Sequence, residues 1–252
     1  MADTDIIYRT LQPDAALAGY VESYWMLTNP INEAKPVVVL PDGRVDIIFS
    51  CSPTEPFRAM LMGLDNEPSY SALLPEVVMF AVSFKLTAVE YLLHTNVAGI
   101  VNEAGILPEG FWDISAADLT DFERFCHKLE AKIKSMLPTD ADNRKLELFR
   151  LIYASNGNMP VKELSEKVYW SSRQINRYFN QQFGLSLKAY CNILRFRASF
   201  TQIKEGRLFP EEAFADQAHF IRDVKKFAGV PPKELSKNKN DRFIQFSTLP
   251  KK

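Results

Sequence analysis

The stretch MPVKELSEKVYWSSRQINRYFNQQFG, residues 159–184, decides the fold of the second half of the chain. A helix-turn-helix needs a short positioning helix, a tight turn, and a second helix that packs one face on the first and leaves the other open. Pro160 stands where a helix starts, and Val161, Leu164, Ser165 and Val168 recur along one helical face. Ser171 is placed to cap the next helix, because its hydroxyl can accept from an unpaired backbone N–H. At about 100° per residue, Ile175, Tyr178, Phe179 and Gln182 group on one side of that helix. Arg173, Asn176, Arg177 and Asn180 fall in a narrow arc opposite. Arg can hold guanine O6 and N7 in a bidentate fork, and Asn can do the same for adenine N6 and N7, so this arc has the chemistry of base readout. The same polar row also fits an ordinary solvated face.

Moving outward toward the C-terminus, SLKAYCNILRFRASFTQIKEG, residues 186–206, reads as one long helix. In EEAFADQAHFIRDVKKFAGVPPKEL, residues 211–235, Asp216 caps a helix on which Phe220, Ile221, Val224 and Phe227 face inward. His219, Arg222 and Lys226 then lie on its outer face.

Three strings carry a resemblance: SSRQINRYFNQQFG, the spacing Tyr190, Arg195, Ala198 and Ile203 along the long helix, and FADQAHFIRDVKKFAGVPPKEL. Over roughly residues 145–236 the chain resembles the tandem helix-turn-helix domain of the AraC/XylS family of bacterial transcription regulators. The acidic half also resembles the N-terminal domain of one branch of that family, through LAGYVESYW, LPDGRVDIIF and the region 63–84. The resemblance implies two reading helices in successive major grooves, with base readers Arg173, Asn176, Arg177, Asn180, His219 and Arg222. Lys188, Arg195, Arg197, Lys225 and Lys226 are the matching candidates for phosphate contacts, which set register without reading sequence. It implies partners too: double-stranded DNA, a small-molecule effector and RNA polymerase. The chain departs from the family where only RLFPEEAFA separates Gly206 from Asp216, so the second unit is expected to have a stunted positioning helix.

Toward the N-terminus, Pro138 and the polar PTDAD end a segment in which Leu119, Phe122, Cys126, Leu129, Ile133 and Met136 recur at steps of three and four. That seam fits either a helix packed on its own domain or a homodimer contact through residues 119–137. Before it, short apolar runs alternate with Pro, Gly and Asn. VVVLPDGRVDIIFS, residues 37–50, reads as two strands hairpinned around Asp42-Gly43, and residues 76–85 read as a further strand. Residues 14–27 read as a short helix leading into a strand, and residues 86–97 as another short helix. The expected fold class is therefore an α+β, sensor-like domain over residues 1–137, followed by an all-α tandem helix-turn-helix DNA-binding domain over residues 143–252. Tyr8, Arg9, Trp25 and Phe84 are candidates to line an effector pocket, and the same aromatics also fit a core. A domain that binds a protein partner in place of a metabolite is the alternative, and a catalytic first domain comes after it.

Charge divides the chain at the same place. Residues 1–142 hold 9 Lys and Arg against 21 Asp and Glu, and residues 143–252 hold 21 against 10, so net charges of −12 and +11 hide inside the overall −1. A positive field over one end draws polyanions. The three cysteines, Cys51, Cys126 and Cys191, have neither metal-like spacing nor the even count of a disulfide framework. Cys51 lies between two serines and not in the Pro-Cys setting of an alkyl acceptor. There is no Gly-x-Ser-x-Gly elbow, phosphate-cradling Gly loop or His-Glu-x-x-His, and His94, His127 and His219 are scattered, so neither an enzyme nor a cofactor or metal is expected. With no run near the ~18 apolar residues of a membrane helix, the expectation is a cytoplasmic protein.

Overall fold

The computed structural model describes residues 6–209, 214 and 216–249. An antiparallel six-stranded sheet forms the centre of the first half, in the order β1 (Ile7–Leu11), β2 (Val21–Thr28), β7 (Val78–Phe84), β4 (Val45–Cys51), β5 (Arg58–Met62) and β8 (Ala104–Ile106). A two-stranded sheet of β3 (Lys35–Val39) and β6 (Ser69–Leu73) stands apart from it. The helices are α1 (Leu86–Tyr91), α2 (Phe122–Ser135), α3 (Asn143–Ala154), α4 (Val161–Lys167), α5 (Ser172–Phe183), α6 (Leu187–Ala198), α7 (Phe200–Lys204), α8 (Gln217–Ala228), α9 (Pro232–Leu235) and α10 (Ile244–Thr248). An α+β half followed by a helical half is the fold class read from the sequence. No helix among the described residues is long and apolar enough to cross a membrane.

Successive side chains of a strand point to opposite faces, and in the large sheet the two faces have different jobs. Ile47, Phe49, Phe80, Val82 and Phe84 point to one face and are buried under α2. There Phe80 meets Phe122 and Phe125 edge-on at 5.3 Å, and Phe49 meets Phe125 at 5.6 Å. The seam of residues 119–137 is thereby used inside the fold. Leu119, Phe122, Cys126, Leu129 and Ile133 are all buried against this sheet, as a helix packed on its own domain requires.

The hairpin expected over residues 37–50 is corrected. β3 pairs with β6 and β4 pairs with β5 and β7, so the Asp42-Gly43 turn joins two sheets instead of two neighbouring strands. A distant contact fixes this turn. Gly43 has φ +76°, its carbonyl accepts from the Tyr190 hydroxyl at 3.0 Å, and a Cβ there would lie 2.9 Å from Leu194.

The helical half does not keep a core to itself. One buried cluster unites Val38, Leu40, Val45, Leu64 and Val97 from the first half with Phe149, Phe179, Tyr190, Leu194 and Phe246 from the second. The last helix, α10, returns to β3. Gln245 exchanges hydrogen bonds with both backbone groups of Leu40 at 2.9 Å, and Val38 N–H donates to the Arg242 carbonyl at 2.6 Å. The long helix expected over residues 186–206 is two helices parted at Ser199, whose hydroxyl bonds back to the Phe196 carbonyl. Ile221, expected inside, is exposed on α8. The stunted second positioning helix expected from the sequence would fall largely on residues 210–213 and 215, outside the described residues.

Candidate functional site

α5, expected from the sequence to be the first reading helix, is built as its residues dictate. Ser171 and Gln174 form a reciprocal capping box at the start of α5, and Gly184 closes it in the left-handed region at φ +72°. Ile175, Phe179 and Phe183 are fully buried, and Leu164 and Val168 of the positioning helix join them. The inner flank of α5 docks on the first half: Tyr178 donates to Glu90 at 2.8 Å, and Val97 N–H donates to the Gln182 carbonyl at 2.9 Å. A Cβ on Gly184 would lie 2.6 Å from Val101 and 2.8 Å from the Ala98 carbonyl, so the helix end is seated tightly. What remains open is the opposite face. Arg173, Arg177 and Asn180 are exposed there.

Asn176, expected on that face, is half-buried with both ends of its amide engaged. It donates to the Ser172 carbonyl at 3.0 Å and accepts from Leu187 N–H at 3.3 Å, tying α5 to the start of α6. Asn180 donates to the Asn176 carbonyl at 2.8 Å.

On α8, Asp216 caps the helix by accepting from His219 N–H at 2.7 Å, while Phe220, Val224 and Phe227 are buried. Arg222, Lys225 and Lys226 are exposed. His219 is turned back on its own helix, with Nε2 3.3 Å from Asp223 Oδ2 and its ring edge-on to Phe214 at 5.7 Å. Lys188 is exposed in the first turn of α6. The two arginines of α6 are not. Arg195 donates to the Gly157 carbonyl and to Asn192, and Arg197 is committed to Glu22 of the first half, so neither guanidinium is offered to a phosphate.

A second site lies on the other face of the large sheet. A cavity of about 940 Å³, open on one side, is bounded by that face, by β3 and β6, and by the ends of α6 and α10. Of the four residues named from the sequence, Tyr8 and Trp25 line it. Arg9 and Phe84 do not. Arg9 follows Tyr8 in β1 and points the other way, pairing with Glu123 at 2.8 Å over the Phe122 ring, and Phe84 is wholly buried under the helices. Adjacent strand residues cannot share a face.

The cavity's polar end was not read from the sequence. Glu22 accepts from Arg44 at 3.2 Å and from Arg197, and lies 3.9 Å from Lys85. Asp42 accepts from Arg44 N–H at 3.1 Å. Asp46 Oδ2 takes the Trp25 indole N–H at 3.2 Å. Burial, the nearby Asp42 carboxylate included, pushes the Asp46 carboxyl up to about 7, and burial with Asp42 and Glu67 pushes Asp65 up to about 6. Asp42 itself is raised by burial, against the opposing pull of Arg44. The signal was present in β4: Asp46, Ile48 and Ser50 alternate with Ile47 and Phe49, a strand with two differently used faces.

The profile of a family described as a domain of unknown function, DUF6597, matches residues 9–105. No curated protein matches the chain. Solved structures similar to it include a 1.65 Å structure of ToxT from Vibrio cholerae, 13% identical over 92% of this chain and 97% of that one, with a TM-score of 0.45. They also include ToxT from the same organism with an unsaturated fatty acid bound, 14% identical over 91% and 93% of the two chains, with a TM-score of 0.41.

Proposed function

We propose that this chain is a sequence-specific DNA-binding transcription regulator whose activity answers to a small molecule held in the cavity. The observation that carries the reading is the outer face of α5. Arg173, Arg177 and Asn180 stand exposed on a capped helix whose inner face is fully buried and whose C-terminal end is seated on the first half. A reading helix in a major groove uses the residues of its N-terminal part, and that is where both arginines lie. The surplus of positive charge over residues 143–252 and the resemblance of residues 145–236 to the AraC/XylS domain support the same reading. On α8, Arg222 is the base-reading candidate, with Lys188, Lys225 and Lys226 at the phosphates.

A cavity of about 940 Å³ falls within the size range of small-molecule sites, which favours an effector over a protein partner for the first half. Arg197 joins the two functions, because it belongs to the helix between the two units and its guanidinium closes on Glu22 at the cavity. Selection of bound duplexes from a random DNA pool tests the reading. A conserved half-site should emerge, and Arg173→Ala or Arg177→Ala should weaken that site by ~1–3 kcal/mol and relax one base position. Equal weakening on random DNA, or no enrichment at all, contradicts it.

A further inference from the structure

The charges lining the cavity are unevenly matched. Six acidic side chains, Glu22, Asp42, Asp46, Glu55, Asp65 and Glu103, face four basic ones, Arg44, Arg58, Lys85 and Arg197. The basic ones are already taken. Arg44, Lys85 and Arg197 converge on Glu22, Arg44 also lies against Asp42, and Arg58 pairs with Glu55 at 2.6 Å. Among the described residues, Asp46 and Asp65 have no cation at ion-pair distance. Asp46 Oδ1 is buried and has no hydrogen-bond partner. Asp65 lines the same cavity.

A buried carboxylate without a partner either stays protonated or waits for a positive charge. We propose that the cavity binds an organic cation, a protonated amine on an apolar body, with its ammonium held by Asp46. The inference rests on the effector reading of the cavity. The Trp25 indole N–H holds Oδ2 of the same carboxylate, which leaves Oδ1 as the free acceptor. Leu27, Ile48, Met60, Met62 and Met79 line the cavity with apolar, partly flexible surface for the ligand's body. An anionic ligand would have to pull Arg44, Lys85 or Arg197 away from Glu22 and leave further carboxylates unmatched.

The test is titration calorimetry on the full chain at pH 7.5 with three matched panels: primary alkyl and arylalkyl amines, the corresponding alcohols, and the corresponding carboxylates. The expected result is binding within the amine panel, at least tenfold tighter than the alcohol of the same body, and falling at least tenfold in Asp46→Asn. Circular dichroism and the melting temperature establish that the variant is folded. Tighter binding of carboxylates, binding by no amine, or amine binding unchanged in Asp46→Asn overturns the proposal. DNA selection is run separately. Amine binding without any DNA preference would sink the regulator reading and leave the ligand class standing, and the reverse pattern would sink the ligand class alone.

Discussion

Replacing Asp46 by Asn tests the electrostatics of the cavity without any ligand. The carboxyl titrates near 7 in the folded chain, against about 3.9 for an unperturbed Asp. Between those values the native state holds a proton that the unfolded chain has lost. The stability contributed by that proton is therefore full below pH 4, is lost as pH rises from 4 to 7, and stays lost above 7. At ~1.4 kcal/mol per pH unit, a difference of three units sets a ceiling of ~4 kcal/mol. Asp46 shares its proton affinity with Asp42 and faces an open cavity, which brings the expected size down to ~2 kcal/mol. Asn keeps the shape and an oxygen for the Trp25 N–H but never ionises. Urea unfolding of both proteins at pH 4.5, 6, 7 and 8 should give similar stabilities at 4.5, with the variant pulling ahead by ~2 kcal/mol at pH 8. A constant gap across the series, or a variant that falls behind at pH 8, would refute the assignment of Asp46 as a carboxyl buried without its counter-ion.

Three other substitutions probe the framework. Leu129→Ala removes a fully buried side chain between α2 and the sheet and should cost ~2–5 kcal/mol in chemical denaturation, with the solution mass by light scattering unchanged. Gly184→Ala imposes a side chain at φ +72° and against the Ala98 carbonyl, so it should lower stability by more than ~1 kcal/mol in thermal melts. Tyr190→Phe deletes a hydroxyl bonded to the Gly43 carbonyl at 3.0 Å and to Tyr153 at 3.2 Å; a loss of ~1 kcal/mol in urea titration is expected.

What the sequence made legible is what short-range rules govern. The caps at Ser171 and Asp216 and the buried stripe Ile175 and Phe179 are set by neighbours within a turn or two, and the structure places them as the spacing implies. The Asp42-Gly43 turn looked like a hairpin because its local chemistry is that of one. Its partners, Tyr190 and Leu194, lie about 150 positions away in the chain, and no local pattern reveals them. Arg195 and Arg197 looked like phosphate contacts on an exposed helix, but Arg195 is tied to Gly157 and Asn192 within its own half, and Arg197 to Glu22 once the acidic half is folded against it. The cavity escaped for a related reason. Alternation in β4 and β5 reveals two faces, but which face is covered by helices and which is left hollow depends on where α2 and α10 come to rest.

The return of α10 to β3, together with the core shared between the halves, changes what a single cut can do. Thr139 and Asp140 lie exposed in the connector after α2, the natural point for a protease to nick the chain. Separating the pieces would strip Val38, Leu40, Phe149, Tyr190, Leu194 and Phe246 of their cover and break the paired bonds between Gln245 and Leu40. The two fragments of a nicked molecule should therefore stay together through native chromatography and part only in denaturant. They behave as halves of one cooperative solid, not as beads on a string.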